Sequence, residues 1–269
     1  MTSWPTRIAL VLLPLVVASA LLGPLVAPWD AESIDWEAID TAPSAQHWFG
    51  TDLVGRDLFV RTMEGAQTSL AVALIAVSVS LCIGIPYGAA AGLVGGRVDQ
   101  IMMRIVDGIY CLPGILILIL LMVVIERNPY LLYAALGAIS WLNIARIVRG
   151  QTLRLRASPF IEAARGLGAP TTHILHRHVI PNVAGPIIVY STLAIPYVIL
   201  AESFISFLGL GIQEPQTSWG VLVADGAQTM ETSPWQLLFP ALFLCATIWS
   251  SNTLGDHLRD RLDRRDNVS

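Results

Sequence analysis

The groups in this chain that could do chemistry are few and scattered. Glu202 is the most isolated of them, a carboxylate inside an apolar run with no basic residue within a helical turn. An acid at such a position is by default a candidate functional group, because facing lipid is costly and it must find a cavity or a polar partner. Asp107 follows Arg104 by three residues, which predicts a local or interhelical ion pair. His173 and His176 stand one helical turn apart, but no acidic or cysteine neighbour completes a coordination set, so surface histidines are expected and no metal. Cys82, Cys111 and Cys245 are dispersed in apolar runs, with neither disulfide nor metal-ligand spacing, and read as small packing or lipid-facing residues. All 16 basic residues are arginine, which excludes the lysine of a phosphate-cradling loop or a Schiff base. Neither H-E-x-x-H nor G-x-S-x-G occurs. The chain is expected to be non-catalytic, without an ATP site or cofactor of its own.

The elements that hold these groups are set by hydropathy. The chain is 54% hydrophobic with a mean hydropathy of +0.63, and only 13% of its residues are charged, against about 25% in soluble domains. That balance predicts an all-α integral membrane protein. Six apolar segments approach the ~20 residues that cross a bilayer core: Ile8–Ala27, Ser69–Val94, Ile105–Ile125, Tyr130–Ile147, Val183–Leu208 and Trp235–Leu254. The first resembles a signal peptide at Ala18-Ser19-Ala20, yet its apolar run exceeds the ~7–15 residues of such a segment, and it reads as a retained span. With the N-terminus inside, 13 arginines fall on the cytoplasmic side and only Arg56, Arg61 and Arg127 outside. Both termini are therefore expected in the cytoplasm. The organisation predicted is an N-terminal span over 1–28, an extracytoplasmic acidic loop with an interfacial helix over 29–66, a five-helix core over 67–254 with a cytoplasmic loop at 150–182, and a tail over 255–269. Prolines interrupt several spans, among them Pro14, Pro24, Pro86, Pro113, Pro186, Pro196 and Pro240. Ordinary bundle packing and a pathway that opens and closes account for them equally well.

Between the fourth and fifth spans lies the polar stretch "EAARGLGAPTTHILHRHVIPN". Ser158-Pro159 has the form of a helix start, the serine accepting from a free N–H, and Gly168 of a left-handed stop. A second short helix is expected from Pro170 to Pro181, with Ile174, Leu175 and Val179 on one face beside His173, His176, Arg177 and His178. Apolar side chains ringed by basic ones suit docking on another protein; they also suit an amphipathic hairpin on anionic membrane lipid. The residues alone favour docking only slightly.

"EAARGLG", nine further residues and "HVIP" resemble the EAA loop of bacterial ATP-binding-cassette importer permeases, with His178 and Ile180 departing from the common Ile-x-Leu-Pro tail. "HWFGTDLVGRDLFVR", "GGRVDQIMMRIVDGIYCLPG", "AESFISFLGLGIQEPQTSWG" and "LGDHLRDRLDRR" are similar to the dipeptide/oligopeptide branch, in its order, over nearly all of the chain after about residue 45. The resemblance is to the C-type permease subunit, with the six-helix type I importer fold. It implies a second related permease, two cytoplasmic ATPase subunits that bind ATP and Mg, an extracytoplasmic substrate-binding protein, and an inner-membrane location, with no nucleic-acid partner. It further implies that Glu162, Ala163, Ala164 and Gly168, with Ile174, Leu175, His178 and Pro181, meet an ATPase subunit. The branch carries glutamate at the place of Glu202, which favours a packing role there, locking the interface between two permeases, over substrate contact.

Elsewhere, Asp52 and Arg56, then Asp57 and Arg61, stand at i, i+4 and suggest paired charges along a short interfacial helix capped by Thr51. Gly209, Gly211, Pro215, Trp219 and Asp225 mark a turned loop expected at the outer face, as a gate or a contact for the binding protein, with Trp219 at the membrane interface. The competing function is a self-sufficient secondary transporter or channel using Glu202 and Asp107, against which stands the absence of a detectable inverted repeat.

Overall fold

The computed structural model describes residues 3–124 and 129–266; Arg127, counted above with the outer charges, lies outside them. Among the described residues ten α-helices follow one another: α1 (Trp4–Val26), α2 (Leu58–Val94), α3 (Gly96–Tyr110), α4 (Gly114–Val124), α5 (Pro129–Arg156), α6 (Pro159–Gly166), α7 (Thr171–Ile174), α8 (Ile180–Phe207), α9 (Trp219–Gln228) and α10 (Trp235–Asp266). Among the described residues five helical stretches are long and apolar enough to cross a membrane, or six if the bent pair α3–α4 is one span.

That pair occupies the third apolar segment, the one that Pro113 was expected to interrupt. Its halves meet at 73°, across Cys111-Leu112-Pro113. Pro113 offers no N–H and disfavours helical backbone at Leu112, so the helix ends one turn early and restarts in a new direction. Pro86, by contrast, is carried inside the unbroken 37-residue α2.

Helix α2 is the axis of the bundle, and its contact with α5 is set by glycine. A Cβ at Gly88 would lie 2.2 Å from the Ala145 carbonyl oxygen, one at Gly84 2.7 Å from Ile144 Cβ, and one at Gly92 2.7 Å from Thr152 Cβ. These positions repeat every four residues and form a groove in which the α5 backbone lies, the small-residue packing that membranes favour over bulky apolar contact. Two cores flank this contact. One gathers Val72, Ala76, Leu132, Leu136, Ile199, Ile205 and Trp219; the other gathers Ala89, Leu93, Val148, Ile161, Ile174 and Val179.

At one end of the bundle the segments 27–57 and 208–234 fold over each other as a cap. No interfacial helix forms at Thr51–Arg61: Thr51 and Arg56 sit in antiparallel bridges to Asp57 and Ile34, and Asp57 itself caps α2 by accepting from Val60 N at 2.9 Å. Asp40 fastens the cap to the start of α10, accepting from Ser233 Oγ and, at 2.8 Å, from Gln236 Nε2. The three cysteines are exposed.

Candidate functional site

At the end of the bundle opposite the cap, α6 and α7 form a hairpin. Proline takes the first turn of α6 as expected, but Ser158 Oγ donates back to the Leu155 carbonyl at 2.5 Å instead of accepting from the helix. Gly168 adopts φ +79°, the left-handed conformation that closes α6, and no atom lies within 4 Å of where its Cβ would be. Pro181 does not end the second helix. Thr171 to Phe207 is one continuous helix, in which Leu175–Val179 is a π-turn and Ile180 N–H reaches back to the Leu175 carbonyl. A wider turn directly before Pro181 relieves the clash between a proline ring and the carbonyl four residues back.

The apolar face expected to be exposed is turned inward. Ile161, Ile174 and Val179 are buried against α2 and α5, and Leu175 is half-buried. Arg165 donates to the Leu93 carbonyl at 3.2 Å and ties the hairpin to the end of α2. What remains at the surface is Glu162, Ala163, Gly166, Gly168, His173, His176, Arg177 and Pro181, with His178 half-buried and Leu167 at the tip 88% exposed. Leu167 was missed in the sequence because it belongs to neither apolar stripe, although its place before a helix-closing glycine is a signal for an exposed corner.

Glu202 is fully buried inside this chain. Ser206 Oγ donates to it at 2.7 Å, Ser69 Oγ at 3.3 Å and Ser203 Oγ at 3.5 Å. Ser69 Oγ also accepts from Trp219 N at 3.3 Å, and Trp219 Nε1 donates to the Thr62 carbonyl at 3.1 Å. Glu202 thus joins α8 to α2 and α9, and its side chain does not reach a surface that a second permease could touch. Trp219, expected at the membrane interface or in a binding-protein contact, is instead fully buried.

Asp107 pairs with Arg146 of α5 at 2.8 Å, so the interhelical alternative holds and the local one with Arg104 does not. The Arg146 guanidinium also lies over the Tyr110 ring, 4.2 Å from its centroid. Asp99, overlooked in the sequence, receives Arg149 in a two-pronged bond of 2.5 and 2.6 Å. Nothing local signals either pair, since the partners are 39 and 50 residues apart. Two cavities, about 260 and 470 Å³ in volume, lie side by side against α5. They share Ser140, Asn143 and Tyr197, and the larger reaches Arg146 and Tyr190.

In the cap, Arg56 donates to Asp52 and to Glu214, both at 2.8 Å. Burial opposes its charge, but the bonds to Glu214 and Asp52 outweigh it and raise its pKa. Asp57 turns to His47 Nδ1 at 2.9 Å, while Arg61 approaches Asp52 at 3.7 Å, so the Asp57–Arg61 pair does not form. Asp225 faces the same cavity as Asp52, Arg56 and Glu214, with its carboxyl pKa raised by burial although Arg61 opposes that shift. Gly209 closes α8 at φ +74°; Gly211 lies where a Cβ would strike Ser206 Oγ, and Pro215 follows a cis peptide bond.

Residues 84–267 match the family of binding-protein-dependent transport system inner membrane components. The chain belongs to that family. It is 46% identical over 260 residues to the oligopeptide transport system permease protein OppC of Haemophilus influenzae, covering 96% of this chain and 84% of that protein. It is 41% identical over 256 residues to OppC of Bacillus subtilis, covering 95% and 84%. To the dipeptide transport system permease protein DppC of Bacillus subtilis it is 45% identical over 245 residues, covering 91% and 77%. Its fold is similar to a chain in inward-facing structures of the MetNI methionine ABC transporter, with a TM-score of 0.61 and 17% identity over 74% of this chain and 95% of that one. This family member is a multi-pass inner-membrane component of a binding-protein-dependent transport system.

Proposed function

We propose that this chain is one of two permease subunits of an ATP-driven importer of di- or oligopeptides. ATP and Mg bind two cytoplasmic ATPase subunits, and an extracytoplasmic binding protein delivers the solute. The hairpin faces the cytoplasm together with both termini, and the cap faces outward. Leu167, Glu162, Ala163 and Gly168 enter a groove on one ATPase subunit, while Ile161 and Ile174 hold the hairpin to the bundle.

The continuity of the hairpin with α8 carries this reading. The helix Thr171–Phe207 has 37 residues, about 55 Å of rise, so a displacement at its first turn moves the far end beside Glu202 and the cap as a rigid body. The face bearing Asp107, Arg146 and Asn143 supports a half-pathway: charged groups exposed on membrane-spanning helices must meet water or another protein, because lipid makes them costly. For a self-sufficient transporter Glu202 would have to exchange an ion with water, and it is enclosed.

Reconstitution tests the proposal. Liposomes holding the paired permeases, ATPase subunits and binding protein should accumulate a labelled tripeptide only with ATP, and uptake by this chain alone would overturn it.

A further inference from the structure

The polar groups around Arg146 make an arrangement whose charges answer each other only while nothing lies between them. Asp107 on α3 and Arg146 on α5 bond at 2.8 Å, yet their side chains remain 62% and 38% exposed. Tyr110 lies beneath the guanidinium, and Asn143 stands one helical turn before Arg146 on α5. Across the larger cavity Tyr190 and Tyr197 of α8 face Ser140 and Asn143. The two cavities, about 260 and 470 Å³, share the Ser140–Asn143–Tyr197 wall, and the larger is of a size that holds a small organic molecule.

A ligand that parts this ion pair gives both charges a new partner only if it supplies an anion for Arg146 and a cation for Asp107. The required chemistry is a zwitterion. We infer that Arg146 and Asp107 form a recognition site for the charged termini of a short peptide, Arg146 taking its carboxylate and Asp107 its ammonium, with Asn143 and the tyrosines along its backbone. Arg146 gives planar two-pronged hydrogen bonding to a carboxylate, and the ring of Tyr110 holds the guanidinium while its acidic partner changes. When no peptide is present the two residues neutralise each other and pin α3 against α5. The site rests on the reading of this face as half of the pathway, but it assigns specificity to this chain as well as to the binding protein.

The test uses the permease–ATPase complex in nanodiscs without binding protein, with trialanine, its C-terminal amide and its N-acetyl form as probes in calorimetric titrations. Trialanine should bind about tenfold more tightly than either blocked form, the loss expected when one charged hydrogen bond is removed. Arg146→Gln should abolish discrimination against the amide and keep that against the acetylated peptide; Asp107→Asn should do the reverse. Equal binding of all three peptides to the unaltered complex, or no binding of any, overturns the site without recourse to a variant. So do variants that weaken all three peptides alike, which is the behaviour of a structural ion pair. ATP-dependent uptake by the complete system separates the two readings: its absence sinks the importer assignment, whereas its presence without terminal discrimination sinks only this site.

Discussion

A single missing methyl group decides how closely α2 and α5 pack. Gly88 leaves room for the Ala145 carbonyl at 2.2 Å from its absent Cβ, a backbone contact that cannot move aside as a side chain would. Gly88→Ala should therefore destabilise the chain by about 1–3 kcal/mol, the range that overpacking and its backbone shifts reach. Gly108 is the control, since nothing lies within 4 Å of its Cβ position; Gly108→Ala should be neutral or gain up to about 1 kcal/mol in helix propensity. Thermal unfolding in detergent compares the two, and equal midpoints would refute the groove. The i, i+4, i+8 spacing of Gly84, Gly88 and Gly92 is readable in the sequence, but nothing local says which helix lies in the groove it makes. Glu202 was found by its isolation, while its partners were not: Ser69 lies 133 residues away, and nothing local to either residue announces the bond. Because its neighbours are hydroxyl donors, Glu202→Gln should keep most of the network. Glu202→Leu should strand Ser206 and Ser69 and cost about 1–3 kcal/mol, measured in the same unfolding assay.

At the scale of elements, local chemistry predicted starts and turns better than ends. Ser158-Pro159 begins α6 and Gly168 closes it, as their conformational preferences require. Pro181 misled, since a proline ends a helix only if the preceding turn stays tight, and the π-turn Leu175–Val179 carries the helix through. Pro113 was read as a possible kink, and the 73° break it marks became visible only with α3 and α4 in place. The amphipathic face of the hairpin was found correctly, but one sequence cannot say whether such a face meets a partner or its own bundle. This matters for Gly168. With open space around it, a substitution acts only through the positive φ, not through bulk in this chain. Asn tolerates that conformation and β-branched residues do not. Gly168→Val should accordingly reduce co-purification of the ATPase subunits at least severalfold, whereas Gly168→Asn should retain it. If both variants behave alike, the bend is not what the docking surface requires.

For the molecule as a whole, hydropathy carried most of the architecture, because lipid leaves a chain few alternatives. It could not reveal the cap, whose 27–57 and 208–234 segments are joined by contacts such as Arg56 to Glu214, 158 residues apart. The division of 13 inner arginines from 3 outer ones makes a claim about orientation that labelling can check. Cys82, Cys111 and Cys245 are all exposed, so each must first be replaced by alanine. In that background Leu167→Cys, at a position 88% exposed, should react with a membrane-impermeant maleimide only in inside-out vesicles. Glu37→Cys in the cap should react only in right-side-out vesicles. Adding the ATPase subunits should then protect position 167 and leave position 37 unchanged, since docking covers one end of the bundle. Reaction at both positions from one side would overturn the orientation. Reversed sidedness would do the same and would also place the hairpin beyond reach of any cytoplasmic ATPase.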